Sequence, residues 1–298
     1  MSRVELTHPD KVLFADPGVT KAELAAYYET VAPVLLEHVQ DRPLSLQVFP
    51  GGVGRGGHFL KQIPGYFPAW VARAELPKRG GTVTHVVARD ADTLRMLVQH
   101  NAITPHVPTA RLDRPDRPDR LVIDFDPPGE DRWPDVVDGA RRCGHLLREA
   151  GLEPFATTTG SRGLHVVAPL RREAAYPAVL AMARDLAGAV VAARPDAFTT
   201  AFLKDEREGR VFVDVLRNRP AQTVVAPYGV RALDGAPVAT PLAWAELDDA
   251  ALRPRGWTLR TIPERLGRTG DPWARISAAA ASPRSAARRL AAAAAGAG

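Results

Sequence analysis

Asp124 and Asp126 stand two apart in LVIDFDPP, a short apolar run that stops at a Pro-Pro-Gly turn and reads as a strand. Side chains alternate along a strand, so both carboxylates share one face while Leu121, Ile123 and Phe125 take the other. Adjacent like charges repel unless a cation lies between them, and hard divalent ions prefer carboxylate oxygens. The same pair also reads as a solvated strand end. Asp214 lies in VFVDV and shares its face with Phe212 and Leu216. Burying a lone carboxylate there is costly unless it is paired or metal-bound; an edge strand open to water is the alternative. Three strand-borne aspartates suit a two-metal phosphoryl-transfer centre.

The segment TTTGSRGLHVV, residues 157–167, supplies donors of the opposite kind. Gly160 and Gly163 permit a tight turn whose N–H groups can approach a phosphate, and Thr159, Ser161 and Arg162 add hydroxyl and guanidinium donors. Taken alone, such a segment is more often a plain hairpin turn, with His165 a structural histidine at the start of the next strand. Lys204, Arg207 and Arg210 precede Asp214, and Arg217, Arg219 and Arg231 follow it. They form either a solvated charge run or a triphosphate grip. Lys11 and Lys21, with His8 nearby, combine with a helix N-terminus as a phosphate pocket or as ordinary surface.

These side chains need a scaffold, and the chain has enough material for one. Its 298 residues are 45% hydrophobic and 24% charged, which sets it apart from disordered chains. A net charge of +5 and a pI near 9.6 permit a polyanionic partner. Cys143 is the single cysteine, excluding an internal disulfide framework and a cysteine-based zinc site. The N-terminus is polar and the Ala-rich C-terminus is interrupted by Arg, so no signal peptide or membrane-spanning run is expected. The expectation is a cytoplasmic, nucleoid-associated protein with no membrane partner.

Residues 8–20 read as a loop leading into a helix, with Thr20 and Glu23 at capping-box spacing and an apolar stripe through Leu24, Tyr27, Tyr28, Val31, Val34 and Leu35. PLSLQVFPGGVGRGGHFLKQ reads as strand, Gly-rich turn, strand, and residues 81–98 as strand and short helix signals. RLDRPDRPDR is an extended loop, because proline at every third residue forbids a helix. Helices are predicted from Pro134 to Ala150 and Tyr176 to Ala193, and strands over PFATTT, LHVVAPL, VFVDVL and QTVVAPYGVRA. This interleaving makes an α/β or α+β fold with a mixed or antiparallel sheet. Residues 1–275 are expected to form one domain of two interwoven α/β subdomains. Residues 276–298 are a low-complexity Ala/Arg-rich tail, read as flexible.

Taken together and in order, these pieces resemble the polymerase domain of bacterial ligase D and its stand-alone relatives, in the archaeo-eukaryotic primase superfamily. LVIDFDPP, TGSRGLHVVAPL and VFVDVLRN followed by QTVVAPYGVRA carry the resemblance, which runs from HPDKVLF to PLAWAEL around residue 247. It implies an RRM-like catalytic sheet packed with a second α/β layer. It further implies that Asp124, Asp126 and Asp214 hold two divalent ions, manganese or magnesium. Thr159, Arg162, Arg207 and Arg231 match residues that grip the incoming triphosphate, and His106 matches a nucleotide contact. Gly160, His165 and Arg217 are grouped with them by position. Phe59 matches an aromatic that stacks on the template, with Lys61 beside it as a DNA contact. Lys11 and Lys21 match a pocket for the downstream 5′-phosphate. His8 stands where the family often has Asn, Gln47 where a basic residue is common, Thr159 for Ser and Arg162 for Lys.

The expected activity is that of a DNA-repair primase-polymerase. It adds NTPs or dNTPs to a primer 3′-hydroxyl at double-strand breaks or short gaps, alongside a separate DNA ligase and the Ku end-binding protein. Two other classes compete. A metal-dependent nuclease or phosphohydrolase would use the same aspartates without holding a triphosphate. A non-catalytic end-binding module would use Lys11, Lys21 and Phe59 alone.

Overall fold

A computed structural model describes residues 2–78 and 80–296, with side chains as far as Ala292. Two compact units share the chain. Unit 1 takes residues 1–113, 223–240 and 255–271; unit 2 takes 114–222, 241–254 and 272–298.

Unit 1 begins with a small hairpin, β1 (Val12–Phe14) and β2 (Val19–Thr20), inside the stretch expected to be loop. Its arms are too short to show a period of two. Thr20 then caps α1 (Lys21–Val39) through a reciprocal box: Glu23 N donates to Thr20 Oγ1 at 3.2 Å and Thr20 N to Glu23 Oε2 at 2.9 Å. β3 (Ser45–Val48) and β4 (His58–Leu60) flank the Gly-rich turn. A separate hairpin, β5 (Arg73–Lys78) and β6 (Gly81–Val86), precedes α2 (Ala91–Gln99), which packs on α1, and β7 (Ala102–Val107).

Unit 2 then supplies β8 (Arg120–Asp126), α3 (Trp133–Glu149), β9 (Phe155–Thr158), β10 (Leu164–Pro169), α4 (Tyr176–Ala193), β11 (Phe198–Thr199) and β12 (Val211–Asp214). The chain returns to unit 1 for β13 (Val224–Val225), gives β14 (Pro241–Leu242) to unit 2, α5 (Ile262–Thr269) to unit 1 and ends with α6 (Pro283–Gly296) in unit 2. The strand expected through QTVVAPYGVRA shrinks to two residues, because Tyr228 adopts a left-handed φ of 64° and turns the chain out of the ladder.

The sheet of unit 1 has the order β13-β7-β3-β4 and is antiparallel throughout. That of unit 2 runs β11-β12-β8-β10-β9-β14, antiparallel except for the β11-β12 pair. β8 is central, and Leu121, Ile123 and Phe125 are fully buried on its apolar side. α3 approaches that side so closely that a Cβ on Gly139 would stand 2.7 Å from the Phe125 ring. Burial of each such side chain contributes roughly 1.5–3 kcal/mol. β8 is thus anchored by one face, and its carboxylates point from the other.

Cys143 lies on the buried stripe of α3, where loss of solvent pushes its thiol up to about 12. α4 departs from expectation, having the length and apolar composition of a membrane span. Its buried residues, Val179, Met182, Ala183, Leu186, Ala187 and Val190, recur at helical spacing and pack on α3, α6 and β8, and Arg184 and Asp185 sit mid-helix. That is the pattern of a core helix. The region read as a flexible tail is also built into unit 2. Ala281 pairs with Leu170, Ser282 Oγ donates to Glu173 at 2.6 Å, and Ile276 and Ala286 are buried. Ala-rich composition hid these anchors. The last two residues of that segment lie outside the described residues.

Candidate active site

Within unit 2 the strand register lines up the acidic residues. Asp214 on β12 is the direct cross-strand partner of Asp124 on β8, and His165 on β10 is the partner of Asp124 on the other side. Asp126 lies one same-face step further along β8, opposite Phe212. Asp214 is only 4% exposed, so the reading of Asp214 as a solvated edge residue is excluded. His165 is buried, with Nε2 3.5 Å from Asp124 Oδ2.

Three arginines meet the carboxylates. Arg162 and Arg207 each come within 3.7 Å of Asp126, on its two different oxygens. Arg207 is fixed by donation to the carbonyls of Ala201 and Phe202 and lies 3.9 Å above the Phe212 ring. Arg217 donates Nε and Nη2 to Asp214 Oδ2 at 3.2 and 3.0 Å, and Leu216 N donates to Oδ1 at 2.7 Å. Arg210 points elsewhere, to the carbonyls of Pro195, Glu206 and Arg207. Lys204 and Arg219 are exposed.

The β9-β10 turn is a closed structure. Thr159 Oγ1 receives the N–H groups of Ser161 and Gly163 and donates to Gly163 O at 3.1 Å. The Thr159 hydroxyl and the amides of Ser161 and Gly163 are therefore engaged inside the turn, while the Arg162 guanidinium reaches toward Asp126. Gly160 has φ +63°, and at Gly163 a Cβ would stand 2.3 Å from Phe125 O. Glycine at 163 is what lets the turn lie against β8.

Burial raises the Asp126 carboxyl above its ordinary range, and the charges of Asp124 and Asp214 push the same way; Arg162 and Arg207 offset this only in part. Among the described residues, no three His, Cys, Asp or Glu side chains already converge as a metal cage. The three aspartates were expected to do so, and the reason lies in Asp214, whose oxygens turn to Leu216 N and Arg217. The donor set still fits a hard cation: all-oxygen and on one sheet face.

The remaining predicted residues belong to unit 1. His106 on β7 and Phe59 on β4 share one face of the sheet, their rings edge-to-face at 5.3 Å, with Phe59 55% exposed. Lys61 is exposed just past β4. Arg231 sits on a tight return, its N–H donating to Pro237 O at 2.7 Å. Lys21 is 3% exposed, and burial, aided by the charge of Lys11, lowers its ammonium below its ordinary range. Lys21 Nζ donates to Thr7 O, and Lys11 Nζ to Pro50 O and Asn101 Oδ1. The first amides of α1 are already taken, Lys21 N by Lys11 O, Ala22 N by Pro9 O and Glu23 N by Thr20.

Sequence reasoning passed over Asn218. It is fully buried just after β12 ends. Val122 N donates to its Oδ1 at 2.9 Å, and its Nδ2 donates to Val122 O and Val215 O at 2.6 and 2.9 Å. The amide thus replaces β12 as the ladder partner of β8 where that strand turns away. The one available signal was an amide directly following an apolar strand.

A sheet that aligns three carboxylates, with arginines at their oxygens, has the layout of a nucleotidyltransferase. Comparison with known proteins specifies which kind. The family described as LigD, primase-polymerase domain, matches residues 20–273. The multifunctional non-homologous end joining DNA repair protein LigD of Mycobacterium tuberculosis is 35% identical over 93% of this chain, which spans 37% of that protein. The Pseudomonas aeruginosa protein LigD is 32% identical over 93% of this chain, which spans 34% of it. A solved structure of the polymerase domain from Mycobacterium tuberculosis ligase D in complex with DNA superposes with a TM-score of 0.87 at 35% identity, covering 94% of this chain and all of that one. The chain belongs to the LigD primase-polymerase domain family, with a primase-type α/β fold and the nucleotidyltransferase class of that family. Such chemistry implies divalent metal ions. The chain spans well under half the length of these curated relatives.

Proposed function

We propose that this protein extends the 3′-hydroxyl of a DNA primer with nucleoside triphosphates at gaps or broken ends, using two divalent ions, manganese or magnesium, held by Asp124, Asp126 and Asp214. The observation that carries this reading is the register pairing of Asp214 with Asp124, with Asp126 one step along between two arginines. When bound, the ions supply positive charge for activating the primer hydroxyl and neutralising the departing pyrophosphate. Asp124, oriented by His165, and Asp126 fix where that charge sits. Arg162 and Arg207 orient phosphate oxygens and stabilise charge that develops on them. Arg217 passes from Asp214 to the nucleotide. Arg231 and His106 are further nucleotide contacts, and Phe59 and Lys61 contact DNA. Lys11 and the buried Lys21 receive the 5′-phosphate of the downstream strand. NTPs are used at least as readily as dNTPs. The relatives' names carry end joining; from that we infer work at broken DNA ends in the cytoplasm, at the nucleoid, with a DNA ligase and Ku as partners.

The test is primer extension on a gapped duplex bearing a 5′-phosphate, with manganese and separate NTP and dNTP pools. The Asp124→Asn/Asp126→Asn double variant and an EDTA-treated sample run alongside. Extension should require the metal and both aspartates. A shortened primer would identify a nuclease, and bound but unextended DNA an end-binding module.

A further inference from the structure

The return that carries Arg231 is gripped from several sides within unit 1. Tyr27 and Tyr28 are consecutive buried residues of α1, their rings edge-to-face at 5.3 Å. Tyr27 Oη donates to Tyr228 O at 2.8 Å. Val230 N donates to Tyr28 Oη at 3.0 Å, and Tyr28 Oη in turn donates to Ile103 O. Thr104 Oγ1 donates to Val230 O at 2.7 Å. Tyr228 Oη donates to Asp271 Oδ1 at 2.6 Å, and His38 Nε2 lies 2.8 Å from Asp271 Oδ2, all three side chains being largely buried.

Two features make this more than core polarity. Tyr228 holds φ at 64°, a conformation a bulky residue adopts only where its surroundings impose it. The bonds also converge on residues 228 and 230, the backbone from which Arg231 projects. A guanidinium on a long flexible stem binds well only if its root is fixed, since otherwise ordering it opposes binding. Burial keeps both phenols far above their ordinary range, so they remain proton donors at all working pH values.

We propose that Tyr27, Tyr28, Thr104 and the Tyr228–Asp271–His38 brace are positioning residues that set nucleotide affinity through Arg231. The inference rests on the reading of Arg231 as a nucleotide contact.

The experiment measures affinity for N-methylanthraniloyl-ATP by fluorescence, with manganese present, for Tyr27→Phe, Tyr28→Phe, Arg231→Ala and each tyrosine variant combined with Arg231→Ala. Melting temperature and gapped-DNA affinity serve as controls. Each phenylalanine variant should weaken nucleotide binding about tenfold, the scale of one stranded buried hydrogen bond, with DNA affinity unchanged. In the Arg231→Ala background the same changes should cost less than about twofold, because the group they act through is gone. Where a phenylalanine variant fails to fold, Thr104→Val takes its place with the same expectation. Wild-type affinity in a folded variant, an equal loss with and without Arg231, or an Arg231→Ala protein that binds normally would each overturn the inference. Wild-type protein that neither binds the nucleotide nor extends a primer would instead refute the polymerase reading beneath it.

Discussion

Replacing Asn218 with alanine removes three hydrogen bonds, at 2.9, 2.6 and 2.9 Å, from a site with no access to water. Val122 loses the partners of both its N–H and its C=O at this position. Each bond contributes about 1 kcal/mol net, and a stranded buried N–H adds a desolvation cost of similar or larger size. The sum is about 3–5 kcal/mol. At roughly 2–4 °C per kcal/mol for a protein of this size class, the melting temperature should fall by about 10 °C. Urea unfolding followed by far-UV circular dichroism gives the free-energy change directly. Asn218→Asp is an informative companion. It keeps an acceptor for Val122 N–H but aims an oxygen at the carbonyls of Val122 and Val215, so at neutral pH it should be at least as harmful. A loss below about 1 kcal/mol in the alanine variant would show that the amide does not stand in for a strand, and the account of how β8 is held would fail.

Two more outcomes follow from local geometry. Gly163→Ala should lower stability by about 2 kcal/mol or more and abolish primer extension, because its Cβ meets a backbone oxygen and lifts the Arg162 turn off β8; a wild-type melting temperature would contradict this. Glu23→Gln tests the α1 cap: the Thr20 N–H, and then Arg260 at 3.0 Å, hold the Glu23 carboxyl below its ordinary range. That stability is present above the unfolded value and disappears as pH falls through the folded one. The variant should therefore be less stable by about 0.5 kcal/mol at pH 7, a modest figure for a part-exposed pair, and indistinguishable in acid. A melting difference that persists unchanged into acid would count against it.

Much of the acidic centre could be read from residue order. LVIDFDPP and VFVDV are periodic enough to set which side chains share a face, and the structure adds only that β8 and β12 are neighbours in a register that aligns Asp124 with Asp214. The sequence places Arg217 near Asp214 but not on it, since VFVDVL predicts strand through Leu216 and gives no sign of the 3₁₀ turn over Leu216–Asn218 that folds Arg217 back. The hydroxyls of Tyr27 and Tyr28 were invisible for another reason. In sequence both residues look like core stripe, and their partners lie 201 and 202 positions away. The closing segment was misjudged because alanine signals a helix without saying what it packs on; Ser282 and Ile276 supply the anchors.

The burial of Cys143 has a practical side. The thiolate is the reactive form, and a thiol that ionises only near 12 behind the packed face of α3 offers almost none at neutral pH. As the chain has no other cysteine, it is already a silent background for thiol labelling. Cysteines introduced at exposed Glu75 in unit 1 and Glu208 in unit 2 would be the only sites a nitroxide reagent finds. Their separation, read by pulsed electron resonance with and without nucleotide, becomes a ruler between the two units that leaves every native residue of the core in place.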